Sequence, residues 1–343
     1  MLAVQKTSPA FGLTLTEVAP PQPGPGEVLV EVDAVGICGS DVHVYEWTSG
    51  YEWMQPVMPL TIGHEFAGRV VAAAPDVTLP VLGRRVTVLP GVACGRCRFC
   101  ITGQPEGCER RAVIGLTRHG AFARHVTAPA ANCIVLPDGL DMELAALTEP
   151  LGIGAQAVEV GGVALGQTVV VLGAGMIGLG TAMMARLAGA STVIIAGLDD
   201  DLRLSAAQGL GFQHTVDLRN ESLKDAVTRI AGGTVDRVFE ATGAASSITD
   251  GLGVLRQGGV LVATGIHARP VEVNMTDLVR RKHQIRGSHG ATRATWLTVL
   301  RLLAQSGEMF RPLISHRITL AETLGGFELS RRKSAVKVMA LLD

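Results

Sequence analysis

Aromatic residues are scarce at 4% of the chain, cysteines number six, and the charges nearly cancel at a net of −1. Each shortage excludes something. Without a basic excess the chain lacks the electrostatic footprint of a nucleic-acid or acidic-membrane binder. With so few cysteines and nothing at the N-terminus that resembles a secretory signal, a disulfide framework is the lesser alternative and a cytoplasmic location is expected. No charged tail, repeat or low-complexity tract is present. The stretch Val160 to Ala185 carries no charge and is long enough to cross a bilayer. Seven glycines interrupt it, however, and its apolar density concentrates in Thr168–Leu172, which reads as a strand buried on both faces.

What is present points to an α/β protein of two domains, since 343 residues exceed the size at which one core keeps growing. The first 150 residues are β-rich. Val28–Val35, Phe66–Ala72 and Arg85–Leu89 are short β-branched runs bounded by Pro and Gly, suggesting a small irregular barrel or sandwich. From about Gly154 strands and helices alternate, with strands at Thr168–Leu172, Thr192–Ala196, Arg237–Ala241 and Val260–Thr264, the rhythm of a doubly wound parallel sheet. The remainder, with a helix at Trp296–Ser306 and apolar runs at Ile314–Ile318 and Ala335–Leu342, is free to return to the first domain.

Four of the six cysteines, Cys94, Cys97, Cys100 and Cys108, fall within fifteen residues. Thiolates at x-x spacing aim at one point when the turns are tight, and Gly91, Gly95 and Gly107 supply the backbone freedom, so the set is read as a closed, structural zinc site. Two disulfides are the alternative, and a nucleic-acid zinc ribbon helped by Arg96, Arg98, Arg110 and Arg111 is another. Absent aromatic interleaving and the near-neutral charge argue against the ribbon.

Gly173-Ala-Gly175-Met176-Ile177-Gly178 directly follows one predicted strand and opens a helix, the context in which such a loop holds a dinucleotide pyrophosphate at a helix N-terminus. Where an acidic residue would end the second strand and bind the ribose of NAD, Gly197 stands instead. Asp199, Asp200 and Asp201 follow, with Arg203 as the only nearby cation for a 2′-phosphate, so NAD is favoured over NADP. Thr242, Gly265 and Ile266, just past the later strands, complete the expected coenzyme contacts.

Cys38-Gly-Ser40-Asp41-Val-His43 and Gly63-His64-Glu65-Phe-Ala-Gly68-Arg-Val70 resemble the signatures of the zinc-dependent medium-chain dehydrogenases of the alcohol dehydrogenase superfamily. Thr148-Glu149-Pro150-Leu-Gly152 resembles its polyol and threonine dehydrogenase branch, although Ile153-Gly154 replaces that branch's Asn-Ala. The resemblance implies a GroES-like β-rich catalytic domain over residues 1–153 with a structural zinc lobe at about 91–110, a Rossmann NAD(P)-binding domain over 154–289, and a return to the catalytic domain over 290–343. It makes Cys38, His64, Glu65 and Glu149 the surroundings of a second, catalytic zinc, Asp41 the carboxylate that orients His64, and Ser40 and His43 members of a proton relay. The implied activity is interconversion of a secondary alcohol and its ketone with NAD(P), in a homodimer or homotetramer; a metal-free NADPH reductase of the same superfamily is the alternative. Tyr45, Trp47, Tyr51 and Trp53, crowded within nine residues, are expected to form a pocket wall or lid, or to face a neighbouring subunit. His125, His214 and His316 have no assigned role, and Cys133 reads as a core thiol.

Overall fold

The computed structural model describes residues 1–80 and 82–342 and divides into two units, one of residues 1–149, 296–332 and 337–343, the other of residues 150–295 and 333–336. In the first unit, strand Glu27–Gly36 alternates buried and half-buried positions, the period-2 pattern that puts Val28, Val30, Val32 and Ala34 into the core. It pairs antiparallel with Glu65–Ala73, His125–Pro129 and the C-terminal strand Lys337–Leu341. The sheet continues through Arg85–Val88 to Cys133–Val135 on one side and through Ile314–Thr319 on the other. Its register sets Gly36 opposite Glu65 on one neighbour and Met339 on the other, so the ends of three distant segments meet at one corner.

The second unit is a six-stranded, all-parallel sheet ordered His214–Asp217, Thr192–Gly197, Thr168–Leu172, Val235–Glu240, Leu255–Ala263, Gln284–Gly287. Continuous apolar runs build it, and Val169, Val170, Val171, Ile194, Ile195, Val238, Phe239, Leu261 and Val262 are fully buried. The chain winds outward from Thr168–Leu172 to one edge and then crosses to the other, so the loops after Thr168–Leu172 and Val235–Glu240 diverge at the carboxyl ends, where open α/β sheets bind ligands. His214–Asp217 and Gln284–Gly287 were not anticipated because both are four-residue edge strands with largely unburied side chains. The tail also divides differently from expectation: residues 333–336 belong to the second unit, where Arg203 Nε donates to Ala335 O at 2.8 Å. No helix among the described residues is long and apolar enough to cross a membrane.

Candidate metal and coenzyme sites

The sulfurs of Cys94, Cys97, Cys100 and Cys108 all lie within 4.8 Å of one another, the spacing that four ligands about 2.3 Å from one tetrahedral ion require. None of these four is joined in a disulfide among the described residues. Two backbone N–H groups, that of Arg96 first, lower the Cys94 thiol to about 6. Burial and the neighbouring Cys97 push Cys100 up to about 11. The backbone thus already favours part of the negative charge that metal binding needs.

The second set is assembled from distant segments. Cys38 caps helix Gly39–Glu46, and Asp41, fully buried, accepts the Cys38 N–H at 3.1 Å to complete a capping box. The other Asp41 oxygen lies 3.5 Å from His64 Nδ1, and Ser40 Oγ lies 3.4 Å from His64 Nε2. Glu149, in the first turn of helix Thr148–Gly161, is buried. Burial and the Glu65 charge raise the Cys38 thiol, and burial pushes Glu149 up to about 7. Burial also presses the His64 imidazole down, but Asp41 and Cys38 together outweigh it and leave His64 well above its ordinary value. All three shifts favour the protonated form, with Glu149 near half protonation at pH 7, at a place where a divalent cation could take the protons' part. Asp41 Oδ1, His64 Nδ1 and Glu65 Oε1 are buried with no hydrogen-bond partner among the described residues. Thiolate, imidazole and carboxylate are a donor set suited to a catalytic zinc, and Cys38, His64 and Glu149 would hold it.

Glu65 is placed differently from a simple ligand. Lys337 Nζ donates to its Oε2 and to Ile37 O at 2.7 Å, with both side chains almost wholly buried. One ammonium therefore ties the residue before Cys38 to the residue after His64. A Cβ on Gly36 would stand 2.4 Å from Glu65 Oε2, so only glycine admits the pair. Sequence reading missed Lys337, although it is the one charge inside the apolar run Ala335–Leu342.

The aromatic crowd disperses. Tyr45 is buried against Phe11 and Phe327 and donates its hydroxyl to Glu328 at 2.7 Å, while the Trp47 ring takes the Lys6 ammonium 5.1 Å from its centre. Only Tyr51 faces the ligand set. Burial, with the charges of Cys38 and Asp41 adding to it, pushes the phenol up to about 12, and its ring stacks 5.9 Å from that of His43. His43 Nδ1 is also within 3.2 Å of Thr48 Oγ1. Trp53 stacks on the outer side of Tyr51 and is half exposed. Neighbours in sequence need not be neighbours in space, and the single wall expected from all four rings reduces to Tyr51 and Trp53.

In the second unit Gly175 caps helix Met176–Leu187 and Met176 and Ile177 form its first turn. A Cβ on Gly178 would stand 1.8 Å from Gly173 O, whereas one on Gly175 would meet nothing nearer than Arg203, at 3.7 Å. The third glycine is needed for packing, and the second leaves an open cradle beside the helix N-terminus, as a pyrophosphate requires. A Cβ on Gly197 would lie 3.2 Å from Asp200 Cβ and 3.3 Å from the Leu204 side chain, so a larger residue at the strand end would require those neighbours to give by a few tenths of an ångström. Arg203 is not the only nearby cation. Arg219 pairs with Asp199 at 3.2 Å, with Asp217 at 2.7 Å and with Asp201, while Arg203, mostly buried, lies 3.7 Å from Asp200. Arg219 follows the edge strand that sequence reading overlooked. Thr242, Gly265 and Ile266 stand at the carboxyl ends of the two central strands beyond Thr168–Leu172.

Comparison with known proteins places both units in known families. The Alcohol dehydrogenase GroES-like domain family matches residues 24–138, and the Zinc-binding dehydrogenase family matches residues 177–305. An L-threonine 3-dehydrogenase from Pyrococcus abyssi is 35% identical over 351 residues, covering 100% of this chain and 99% of that protein. The NADP-bound crystal structure of a Sinorhizobium meliloti 1021 protein described as a zinc-binding dehydrogenase superposes with a TM-score of 0.88 at 33% identity, covering 99% of this chain and 98% of the other. A protein from Escherichia coli CFT073 described as a short chain alcohol dehydrogenase, complexed with NADH, reaches 0.90 at 27% identity over 99% of both chains. With GroES-like and Rossmann-type units in that order and a full-length relative above 30% identity, this chain belongs to the zinc-binding medium-chain dehydrogenases of the alcohol dehydrogenase superfamily.

Proposed function

We propose that this protein is a zinc-dependent oxidoreductase that interconverts a secondary alcohol and its ketone with NAD(P), using Cys38, His64 and Glu149 as ligands of a catalytic zinc and the four-cysteine lobe for a structural one. The observation that carries the reading is the mixed-donor set, His64 and Glu149 buried and Cys38 half-buried, with Asp41 bonded to the Cys38 backbone and beside the His64 ring. What the metal supplies when bound is Lewis acidity toward the alcohol oxygen, and what the coenzyme supplies is a hydride acceptor. The chain's own residues orient and move protons. Asp41 fixes the His64 ring. The Ser40 hydroxyl, beside His64, takes the proton of the alcohol, and His43, held at Nδ1 by Thr48 and across its face by Tyr51, passes protons to solvent. Tyr51 keeps its phenolic proton throughout the neutral range and is a hydrogen-bond donor for substrate. The substrates that fit are polyols, simple secondary alcohols and 3-hydroxy amino acids such as L-threonine.

NAD is favoured over NADP because four carboxylates, Asp199, Asp200, Asp201 and Asp217, outnumber the cations Arg203, Arg219 and Lys333 around them, leaving excess negative charge where a 2′-phosphate would have to sit. A homodimer or homotetramer is supported by the strand Gln284–Gly287, an open sheet edge with Ile285 40% exposed. The absence of a disulfide among the described residues suits a reducing, cytoplasmic setting. The test is an absorbance screen for reduced nicotinamide with threonine, polyols and simple secondary alcohols, each with NAD and NADP, before and after dialysis against a chelator. Activity that survives metal removal would assign the chain to the metal-free reductases, and absence of turnover with every pair would overturn the reading.

A further inference from the structure

We propose that Glu240 and His267 form a latch that sets the nicotinamide half of the coenzyme site, with His267 a positioning residue acting through the backbone around Thr242 and Ile266; the inference rests on the coenzyme reading of the second unit. Glu240 ends strand Val235–Glu240 and is completely buried. Its Oε1 accepts the Thr242 N–H at 2.6 Å, the Thr242 hydroxyl at 2.5 Å and the Gly243 N–H at 2.9 Å. Its Oε2 meets His267 Nε2 at 3.1 Å. A carboxylate only accepts, so Nε2 carries the proton. One buried carboxylate thus joins the loops that follow two neighbouring strands, Val235–Glu240 and Leu255–Ala263.

The loops touch because they are glycines where they meet. A Cβ on Gly265 would stand 2.3 Å from Gly243 N and 2.6 Å from Glu240 Oε2, and one on Gly243 would stand 2.5 Å from Ile266 O. The first loop of the fold joins them, since a Cβ on Gly173 would be 2.9 Å from Thr242 Cγ2. Glu240 does not need His267 to be satisfied on its other side: Oε1 has three donors, and Glu240 O accepts from Thr264 N, Gly265 N and Thr264 Oγ1. His267 is the part that reaches into the segment between Ala263 and Met275, which has neither helix nor strand and carries Ile266 59% exposed. An exposed apolar side chain at the carboxyl end of a central strand suits one face of a flat heteroaromatic ring. Among the described residues, the adenosine side, at Gly173–Gly178 and Gly197, shares no hydrogen bond with His267.

The experiment compares binding of the reduced coenzyme with binding of ADP-ribose, or its 2′-phosphate where NADPH is preferred, by fluorescence titration of the zinc-loaded protein. Wild type, His267→Ala and His267→Gln are measured, each with a thermal melt. Loss of a hydrogen bond to a charged acceptor predicts roughly tenfold weaker coenzyme binding in His267→Ala. ADP-ribose binding should stay within about twofold, and His267→Gln, which offers an amide N–H at similar reach, should recover most of the loss. Equal weakening of both ligands, or unchanged binding of both, overturns the latch while leaving the enzyme reading intact. A wild type that binds neither coenzyme overturns both.

Discussion

The two sets of side chains proposed to hold metal in the first unit are built on opposite plans. The four cysteines lie in one fifteen-residue excursion, use a single donor type and are mostly half-buried. Cys38, His64 and Glu149 come from three separated segments, mix three donor types, and sit beside a Glu65 whose charge is balanced by a lysine from the far end of the chain. The cysteine lobe needs only its own turns to be correct, whereas the other set exists only if the register of the central sheet is correct. The structural and chemical roles proposed for the two sets follow from that difference. A local, saturated set has no position to offer a substrate, while a dispersed set with one ligand of each kind leaves room for one.

Replacing one ligand in each set separates the roles most sharply. Cys38→Ser is expected to lower kcat/KM at least about 10³-fold, the equivalent of several kcal/mol of lost transition-state stabilisation, with a melting temperature near that of wild type. Zinc per chain, measured by mass spectrometry, should fall by one; an unchanged zinc content would defeat the two-site assignment. Next in size is Lys337→Met. Removing one partner of a buried ion pair leaves Glu65 uncompensated and should cost about 3–5 kcal/mol in denaturant unfolding of the zinc-loaded protein. Adding Glu65→Gln to it should recover much of that loss, and a single variant as stable as wild type would show that the pair does not hold this corner together. Cys97→Ser belongs to the opposite plan. Its melting temperature should drop and protease should cut within about residues 91–110, yet kcat/KM of the folded fraction should stay within about threefold of wild type.

How much could be read beforehand follows the same division. The cysteine lobe and Gly173–Gly178 were legible because each is a contiguous motif whose spacing alone implies geometry. The central strands were legible because apolar runs between glycines have few other readings. Lys337, Arg219 and His267 were not singled out, since each acts across long separations through sheet register or through loops that meet only in the fold. Lys337 left a trace as a lone charge in an apolar run; Arg219 and His267 left none. The aromatic cluster misled because proximity along a helix and the loop after it sends side chains in different directions, Tyr45 into the core and Tyr51 toward the ligands.

The gentlest test of the comparison is thiol chemistry after zinc is stripped with a chelator. Backbone N–H groups lower the Cys94 thiol to about 6, whereas burial and the Glu65 carboxylate raise Cys38 above its ordinary value. At pH 7 a thiol with a pKa near 6 is about 90% thiolate, whereas a thiol raised above its ordinary value stays largely protonated; the more acidic thiolate is the weaker nucleophile, which narrows the difference, and alkylation is expected to be faster at Cys94. The sign with pH is distinct for each. Cys94 labelling should fall only as pH drops through about 6, while Cys38 labelling should keep rising as the solution is made more alkaline. Peptide mapping after brief treatment with iodoacetamide reads both rates in one sample, and readded zinc should protect both. Faster labelling of Cys38 than Cys94 at neutral pH would mean that the environment around His64 stabilises a thiolate before any metal arrives, and the contrast between a preformed anionic lobe and a proton-holding catalytic set would not stand.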